Sequence, residues 1–318
     1  KEIRFIPQFY WEWLKSFYFD FNKINVYLDG NKHLRINVTD KLYKVTLYEV
    51  PILAIVSEVR NRWLGYSANI DEVKNKLESK IALSNEYKLK FSEFGTRRRF
   101  SYNVHDEVCK LLKEKAIYCT GTSNVHMAML YNMKVMGTHP HEWFMFHGAQ
   151  YGYKQANYMA LENWVNVYDG DLGIALSDTY TTGVFLKNFS RKHAKLFDGV
   201  RHDSGDPYKF VNNVINRYKE LGIDPTTKTI IFSNSLDFET YKEISEYCQG
   251  RIRCAAGIGA NLTNDCGFTP SNIVMKLSSC RMNSRQTHCT TVKLSDDKGK
   301  AMGFEDEIGN CYYELGLT

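Results

Sequence analysis

Lys195-Leu196-Phe197-Asp198-Gly199-Val200 leads into Arg201-His202-Asp203-Ser204-Gly205-Asp206-Pro207, and the reading of this stretch decides the fold. The first six residues form an apolar run of strand length. Residues 207–221 carry apolar side chains at Phe210, Val211, Val214, Ile215 and Tyr218, with Gly222 as a stop. That spacing predicts an amphipathic helix ended by glycine. The charges between them fall in a loop that leaves a strand and enters a helix. Asp206 and Pro207 suit the N-cap and first helical position. A capped turn needs neither Arg201 nor Asp203. Arg201 is suited to two-pronged capture of a phosphate or carboxylate, and Asp203 to a ribose diol or to Mg2+ through water. Gly205 lets the backbone turn or approach a ligand.

The same strand-then-helix rhythm recurs on both sides. Short apolar runs end in polar, glycine-rich loops at 90–95, 116–121, 134–137, 172–176, 195–200, 229–232, 253–257 and 289–294. A second clear helix covers 238–248. Repeated units of this kind predict a parallel sheet, and about eight of them a closed barrel. Upstream, Tyr10 to Leu14 reads as a helix, and Asn25–Leu28, Leu34–Val38 and Leu42–Leu47 as alternating strands. Helices are predicted from Glu49 through Trp63, with Pro51 in the first turn, and from Asp71 to about Asn85. The expected architecture is α/β: an irregular (β/α) barrel over 91–318 with an N-terminal α+β domain, residues 1–90, packed against it. The join near residue 90 has no linker composition.

Composition narrows the function. The chain has 318 residues, 43% hydrophobic and 14% aromatic, with a formal net charge of +5. That describes a folded protein with a large core, and a charge suited to a small anionic substrate. No basic block points to nucleic acid, and no apolar span has membrane length. The eight cysteines form no C-x-x-C pair, which speaks against a zinc ribbon or disulfide framework and for a reducing, cytoplasmic setting. The chain starts at Lys1 without methionine, so the natural protein is expected to begin earlier.

Candidate chemistry collects in the loops after the runs, where a barrel carries its ligand sites. Phe94-Gly95-Thr96-Arg97-Arg98-Arg99 offers an aromatic face beside a guanidinium, a pair suited to a flat anionic ring. Phe94 and Arg97 are the candidates there; Arg98 and Arg99 read as a solvated basic turn. In Gly121-Thr122-Ser123-Asn124, Thr122 and Ser123 read as caps. Gly137-Thr138-His139-Pro140-His141-Glu142-Trp143-Phe144 opens a helix, where exposed amides favour phosphate, and a histidine there can take a phosphoryl group. Zinc is not indicated, since H-E-x-x-H is absent. In Ser177-Asp178-Thr179-Tyr180, Asp178 either caps the turn or accepts from a ring N–H or a ribose hydroxyl. Ser233-Asn234-Ser235-Leu236-Asp237 and Gly257-Ile258-Gly259-Ala260-Asn261 suit a phosphate cradle of backbone N–H groups. Leu262 stands where a dinucleotide motif would need its third glycine.

These strings, F-S-E-F-G-T-R-R-R (91–99), G-T-S-N-V (121–125), G-T-H-P-H-E-W-F (137–144), S-D-T-Y (177–180), V-R-H-D-S-G-D-P (200–207), S-N-S-L-D (233–237) and G-I-G-A-N-L-T-N-D (257–265), resemble those of nicotinate phosphoribosyltransferases, in order and across the barrel. Residues 1–90 resemble the family's upstream segment. The resemblance implies that nicotinate and phosphoribosyl pyrophosphate give nicotinate mononucleotide and pyrophosphate, a step of NAD biosynthesis, with ATP hydrolysed through a phosphohistidine at His141 and Mg2+ as cofactor. It implies an aromatic contact to the pyridine from Phe94, and carboxylate and ribose contacts from Thr138, Arg97 and Arg201. It places Asp178, Asp203 and Asp206 near ribose and Mg2+. The phosphate cradle falls on Ser235, Asp237, Gly257, Gly259 and Ala260. It also implies a homodimer with shared sites. Two features depart from the family: Ala260 stands where threonine is usual, and no D-x-Y-K motif precedes Lys1, Asp40-Lys41-Leu42-Tyr43-Lys44 being one residue too long. A nicotinamide or quinolinate enzyme of the same fold, a non-catalytic nucleotide-binding relative, and RNA binding through Arg97–Arg99 are the alternatives; the E-F-G-T-R-R-R string favours nicotinate.

Overall fold

The computed structural model describes residue 3 and residues 5–284 and 286–317; Lys1 lies outside them. The chain opens with α1 (Gln8–Ser16), then the hairpin β1 (Ile24–Leu28) and β2 (Leu34–Val38), antiparallel from Ile24↔Val38 to Leu28↔Leu34. Leu42–Leu47, expected as a third strand, instead contains a single helical turn, α2 (Leu42–Val45). Leu42 and Val45 fit a helical i, i+3 spacing as well as the alternation, and six residues are too few to separate the two periods. Then follow α3 (Glu49–Trp63) and α4 (Ile70–Glu86), the latter capped by the Asn69 side chain on the amides of Asp71 and Glu72.

The barrel region continues with β3 (Phe91–Glu93), α5 (Tyr102–Lys115), β4 (Cys119–Thr122) and α6 (Val125–Tyr131). After these come α7 (His141–Tyr151), α8 (Tyr153–Tyr168), β5 (Ile174–Leu176), α9 (Thr182–Asn188) and α10 (Arg191–Leu196). Next are β6 (Gly199–His202), α11 (Pro207–Glu220), β7 (Thr229–Phe232), α12 (Phe238–Cys248), β8 (Arg253–Ile258) and α13 (Ala260–Thr263). The short pair β9 (Ser279–Cys280) and β10 (Cys289–Thr290) precedes α14 (Glu305–Leu315).

Six strands form one parallel sheet in the order β4-β3-β8-β7-β6-β5. Because every pairing is parallel, the C-terminal ends of all six lie along one edge. The ladder does not close on itself among the described residues. Residues 134–137, expected as a strand, supply one parallel bridge, Thr122↔Val135, alongside β4. Two other expectations shift. In 195–200, Ser190 caps α10 and draws Lys195 and Leu196 into it, so β6 starts at Gly199. Of residues 289–294, only Cys289 and Thr290 pair with β9, and the rest run on without joining the six-stranded sheet. The strands at 229–232 and 253–258 and the helices at 207–220 and 238–248 stand as the periodicity places them.

Phe91, Val200, Ile230, Phe232, Ala256 and Ile258 from the strands meet Leu112, Val211, Val214, Tyr241 and Ile244 from the helices in one buried core. The N-terminal helices dock on the loop after β3. Ser57 Oγ donates to the Arg99 carbonyl at 2.8 Å, and the buried Asn61 amide donates to the Phe100 carbonyl at 3.0 Å. No helix among the described residues is long and apolar enough to cross a membrane.

Candidate functional site

Arg201 lies on β6 beside Leu176 of β5 and Ile231 of β7. Parallel strands put their next residues side by side, so Ser177, Asp203 and Ser233 arrive around it. Its Nε donates to Ser233 Oγ at 2.7 Å, Nη1 to Thr138 Oγ1 at 2.8 Å and Nη2 to Asp203 Oδ1 at 2.6 Å. Ser233 in turn donates to Asp203 Oδ1 at 2.6 Å. Ser177 holds the strand itself, through its hydroxyl on the Arg201 carbonyl at 2.7 Å. The guanidinium is thus fixed from three loops.

His141 begins α7 and points into the same cluster. Its Nε2 lies 3.0 Å from Asp203 Oδ2 and its Nδ1 3.1 Å from Thr179 Oγ1. Burial pushes the Asp203 carboxyl up, but the Arg201 guanidinium, His141 and Ser233 outweigh it and hold it well below the usual carboxylate range. An ionised carboxylate only accepts, so Nε2 carries the ring proton and the Nδ1 lone pair faces the Thr179 hydroxyl. Burial pulls the His141 pKa below its ordinary value, against Asp178 and Asp203. The ring is therefore a neutral imidazole with its basic nitrogen set in place.

Asp178 completes the cluster. Its Oδ2 accepts from Ser204 Oγ at 2.7 Å, while Oδ1, 3.8 Å from His141 Nε2, is buried and has no hydrogen-bond partner among the described residues. A buried acceptor left open calls for a partner from outside the chain. Ligand atoms of His141, Asp178 and Asp203 lie within 4.8 Å of one another. The two carboxylates, hard oxygen donors, fit Mg2+ held directly or through water. A second grouping, Glu93, His105 and Cys109, is fully buried behind β3. There Glu93 accepts from the Gly95 amide and from Thr122 Oγ1, and so fixes the start of the next loop.

That loop lies on the same edge, with β7 and β8 between β3 and β6. The Phe94 amide donates to the Ile258 carbonyl at 2.8 Å, and a Cβ on Gly257 would clash with the Phe94 ring. Phe94, Gly257, Gly259 and Ala260 are therefore neighbours at the ends of β3 and β8. The triple arginine divides three ways. Arg97 reaches Glu49 at 3.8 Å, in a half-buried network where Lys276 sits 3.4 Å from both Glu49 and Glu142. Arg99 turns to Glu58 at 3.5 Å and lies over the Tyr102 ring. Arg98 is half-buried, feels the charge of Asp203, and has an Nε without a partner among the described residues. Arg98 and Arg99 are thus not a solvated turn, because Glu58 and the cluster draw them inward.

The remaining candidates sit on the same edge with local duties. Asp206 and Asp237 accept from the amides of Lys209 at 2.6 Å and Thr240 at 2.8 Å, as N-caps of α11 and α12. Ser235 is exposed in a left-handed turn at φ 49°. Asn124, not Thr122 or Ser123, caps α6. Thr179, Ser204 and Ser233 join the cluster from within strings that the sequence displays. Lys293, 3.8 Å from Asp178 Oδ2, comes from a run that reads as plain strand. A cavity of about 540 Å³ at the opposite end of the sheet, lined by Tyr87, Lys242, Cys248 and Arg251 among others, touches none of these residues.

The model of the Nicotinate phosphoribosyltransferase (NAPRTase) family matches residues 89–313. Over 311 residues the chain is 44% identical to a nicotinate phosphoribosyltransferase of Chromohalobacter salexigens, covering 97% of this chain and 79% of the relative. The crystal structure of nicotinate phosphoribosyltransferase from Porphyromonas gingivalis superposes with a TM-score of 0.98 at 49% identity, covering 99% of this chain and 82% of that one. The corresponding structure from Vibrio cholerae gives 0.89 at 36% identity, over 98% and 76%. Such similarity runs through the N-terminal segment and the barrel alike, and the chain belongs to the nicotinate phosphoribosyltransferase family.

Proposed function

We propose that this chain joins nicotinate to the phosphoribosyl group of phosphoribosyl pyrophosphate, releasing pyrophosphate, and couples the reaction to ATP hydrolysis through a phosphate carried on His141. The observation that carries the reading is the His141 imidazole, neutral, buried and held between Thr179 and Asp203 beside Asp178 and Arg201. In this arrangement the Nδ1 lone pair takes the phosphoryl group from ATP, with ADP leaving, and water later removes it. Asp203, fixed by Arg201 and Ser233, keeps the ring oriented and balances its charge while it carries phosphate. As pyrophosphate departs, the ribose acquires oxocarbenium character, and the carboxylates of Asp178 and Asp203 stabilise it. Mg2+, when bound, neutralises the diphosphate; the open Asp178 Oδ1 and Asp203 are the residues suited to hold it.

On the β3–β8 side, Phe94 offers its face to the pyridine ring, and Arg97 and Arg98 attract its carboxylate. Nicotinate differs from nicotinamide by that charge, so these cations favour the acid. A homodimer is part of the same reading, supported by the exposed Phe9, Tyr18, Phe21 and Trp63.

The test is a pair of measurements on the full chain. With γ-labelled ATP, wild type acquires acid-labile label at His141, and His141→Asn acquires none and loses the dependence of nucleotide formation on ATP. Unlabelled wild type that also releases no pyrophosphate from nicotinate and phosphoribosyl pyrophosphate would overturn the proposal.

A further inference from the structure

After β10 the chain stays against the edge of the six-stranded sheet without joining it. Residues 291–297 cross the edge where β5 and β6 end. The Leu294 amide donates to the Thr179 carbonyl at 2.7 Å, and the Asp296 amide to Ser204 Oγ at 3.0 Å. The Asp296 carboxylate accepts from the Thr182 amide at 2.9 Å, and Asp297 from the Gly205 amide at 3.0 Å. Lys293 and Met302 bond each other's backbones at 2.9 and 2.8 Å, which keeps the crossing extended. Val292 and Leu294 are buried on either side of Lys293, so alternation turns the lysine the other way, toward Asp178.

The Lys293 side chain is only 12% exposed, and its ammonium lies 3.8 Å from Asp178 Oδ2 and makes no hydrogen bond among the described residues. Around His141 the other cations are Arg201 and the half-buried Arg98, which feels the charge of Asp203. Arg201 spends three of its five N–H donors on Ser233, Thr138 and Asp203. Two carboxylates, Asp178 and Asp203, face the imidazole and repel any phosphoryl anion brought to it. An anion that settles there needs cations with donors to spare, and the Lys293 ammonium, which faces the cluster from the far side of Asp178, has its donors uncommitted among the described residues. We propose that Lys293 binds the phosphoryl oxygens of the substrate that lies against His141, whether the diphosphate of the ribosyl donor or the terminal phosphate of ATP. The inference rests on the reaction proposed above, and it assigns the anchor to the crossing segment rather than to a strand-end loop. The ammonium moves from a long contact with Asp178 to direct charge-assisted bonds with phosphate.

The experiment compares Lys293→Met, which keeps the apolar stem, with Lys293→Arg, which keeps the charge. One charge-assisted hydrogen bond changes an affinity roughly ten- to a hundredfold. In the Met variant we expect a loss of that size in one of two readouts. A higher KM for phosphoribosyl pyrophosphate at saturating ATP identifies the diphosphate, and a slower labelling of His141 by ATP identifies the terminal phosphate. The KM for nicotinate stays within twofold, and the Arg variant recovers most of the loss. Binding of Mg2+–pyrophosphate, measured by calorimetry on wild type and the Met variant, reads the same contact without turnover and so stands even if the proposed reaction fails. Unchanged pyrophosphate affinity, equal losses for all substrates, or no recovery with arginine would overturn the assignment.

Discussion

His139 and His141 stand two residues apart and meet opposite surroundings. His141 faces Asp203 and Thr179 at a mouth lined with carboxylates, whereas His139 lies among Trp164, Phe144 and Phe197, its centroid 4.1 Å from that of Trp164. Burial, with the Arg201 charge adding to it, pushes the His139 pKa down to about 3. The folded value is depressed, so protonation favours the unfolded chain. The stability this ring contributes is full above its ordinary value of 6.5 and is lost as pH falls toward 3, by up to about 1.4 kcal/mol per pH unit. His139→Phe, which keeps an aromatic ring in the same cage, removes that dependence. Urea unfolding at pH 7, 6 and 5 should show the variant gaining on wild type at each step down, and parallel losses would refute the account. The sequence displays both histidines in one string but cannot say which environment each meets, because that depends on β5 and β6, more than thirty residues downstream. Lys293 was hidden for the same reason: nothing in Thr291-Val292-Lys293-Leu294 announces that Asp178 lies across from it.

At the level of elements, amphipathic helices were the most legible. The apolar positions of α11 and α12 fix their length and inner face, and Asp206 and Asp237 mark their starts. Short apolar runs were less so. The same alternation serves a sheet strand at 229–232, a helical turn at 42–45 and a crossing segment after 290, and only long-range pairing separates them. Glycines after strands suit a phosphate cradle, yet Gly257 has a packing duty of its own, since its missing Cβ leaves room for the Phe94 ring. Gly257→Ala should displace that ring, cost about 1–3 kcal/mol, and raise the KM for nicotinate more than that for phosphoribosyl pyrophosphate. Equal changes in both constants would show that Phe94 does not face the pyridine.

On the scale of the whole molecule, the N-terminal helices are part of the site's support. Asn61 is buried on α3 and bonds the Phe100 carbonyl, directly after the three arginines. Removing the amide leaves that carbonyl unsatisfied, so Asn61→Ala should cost roughly 1–3 kcal/mol and speed hydrogen exchange in the loop after β3. Unchanged exchange there would mean that the loop holds itself. The segment that crosses the strand ends has a different consequence, one that concerns synthesis. By the time residue 263 has left the ribosome, every strand of the six-stranded sheet is available, while Val292, Leu294 and Cys311 of its core are still to come. The amides of Thr182 and Gly205 still await their carboxylates, and Asp178 its lysine. A nascent chain therefore has its sheet strands before it has the segment that crosses their ends, and Lys293, Asp296 and Asp297 are the last of these contacts to arrive.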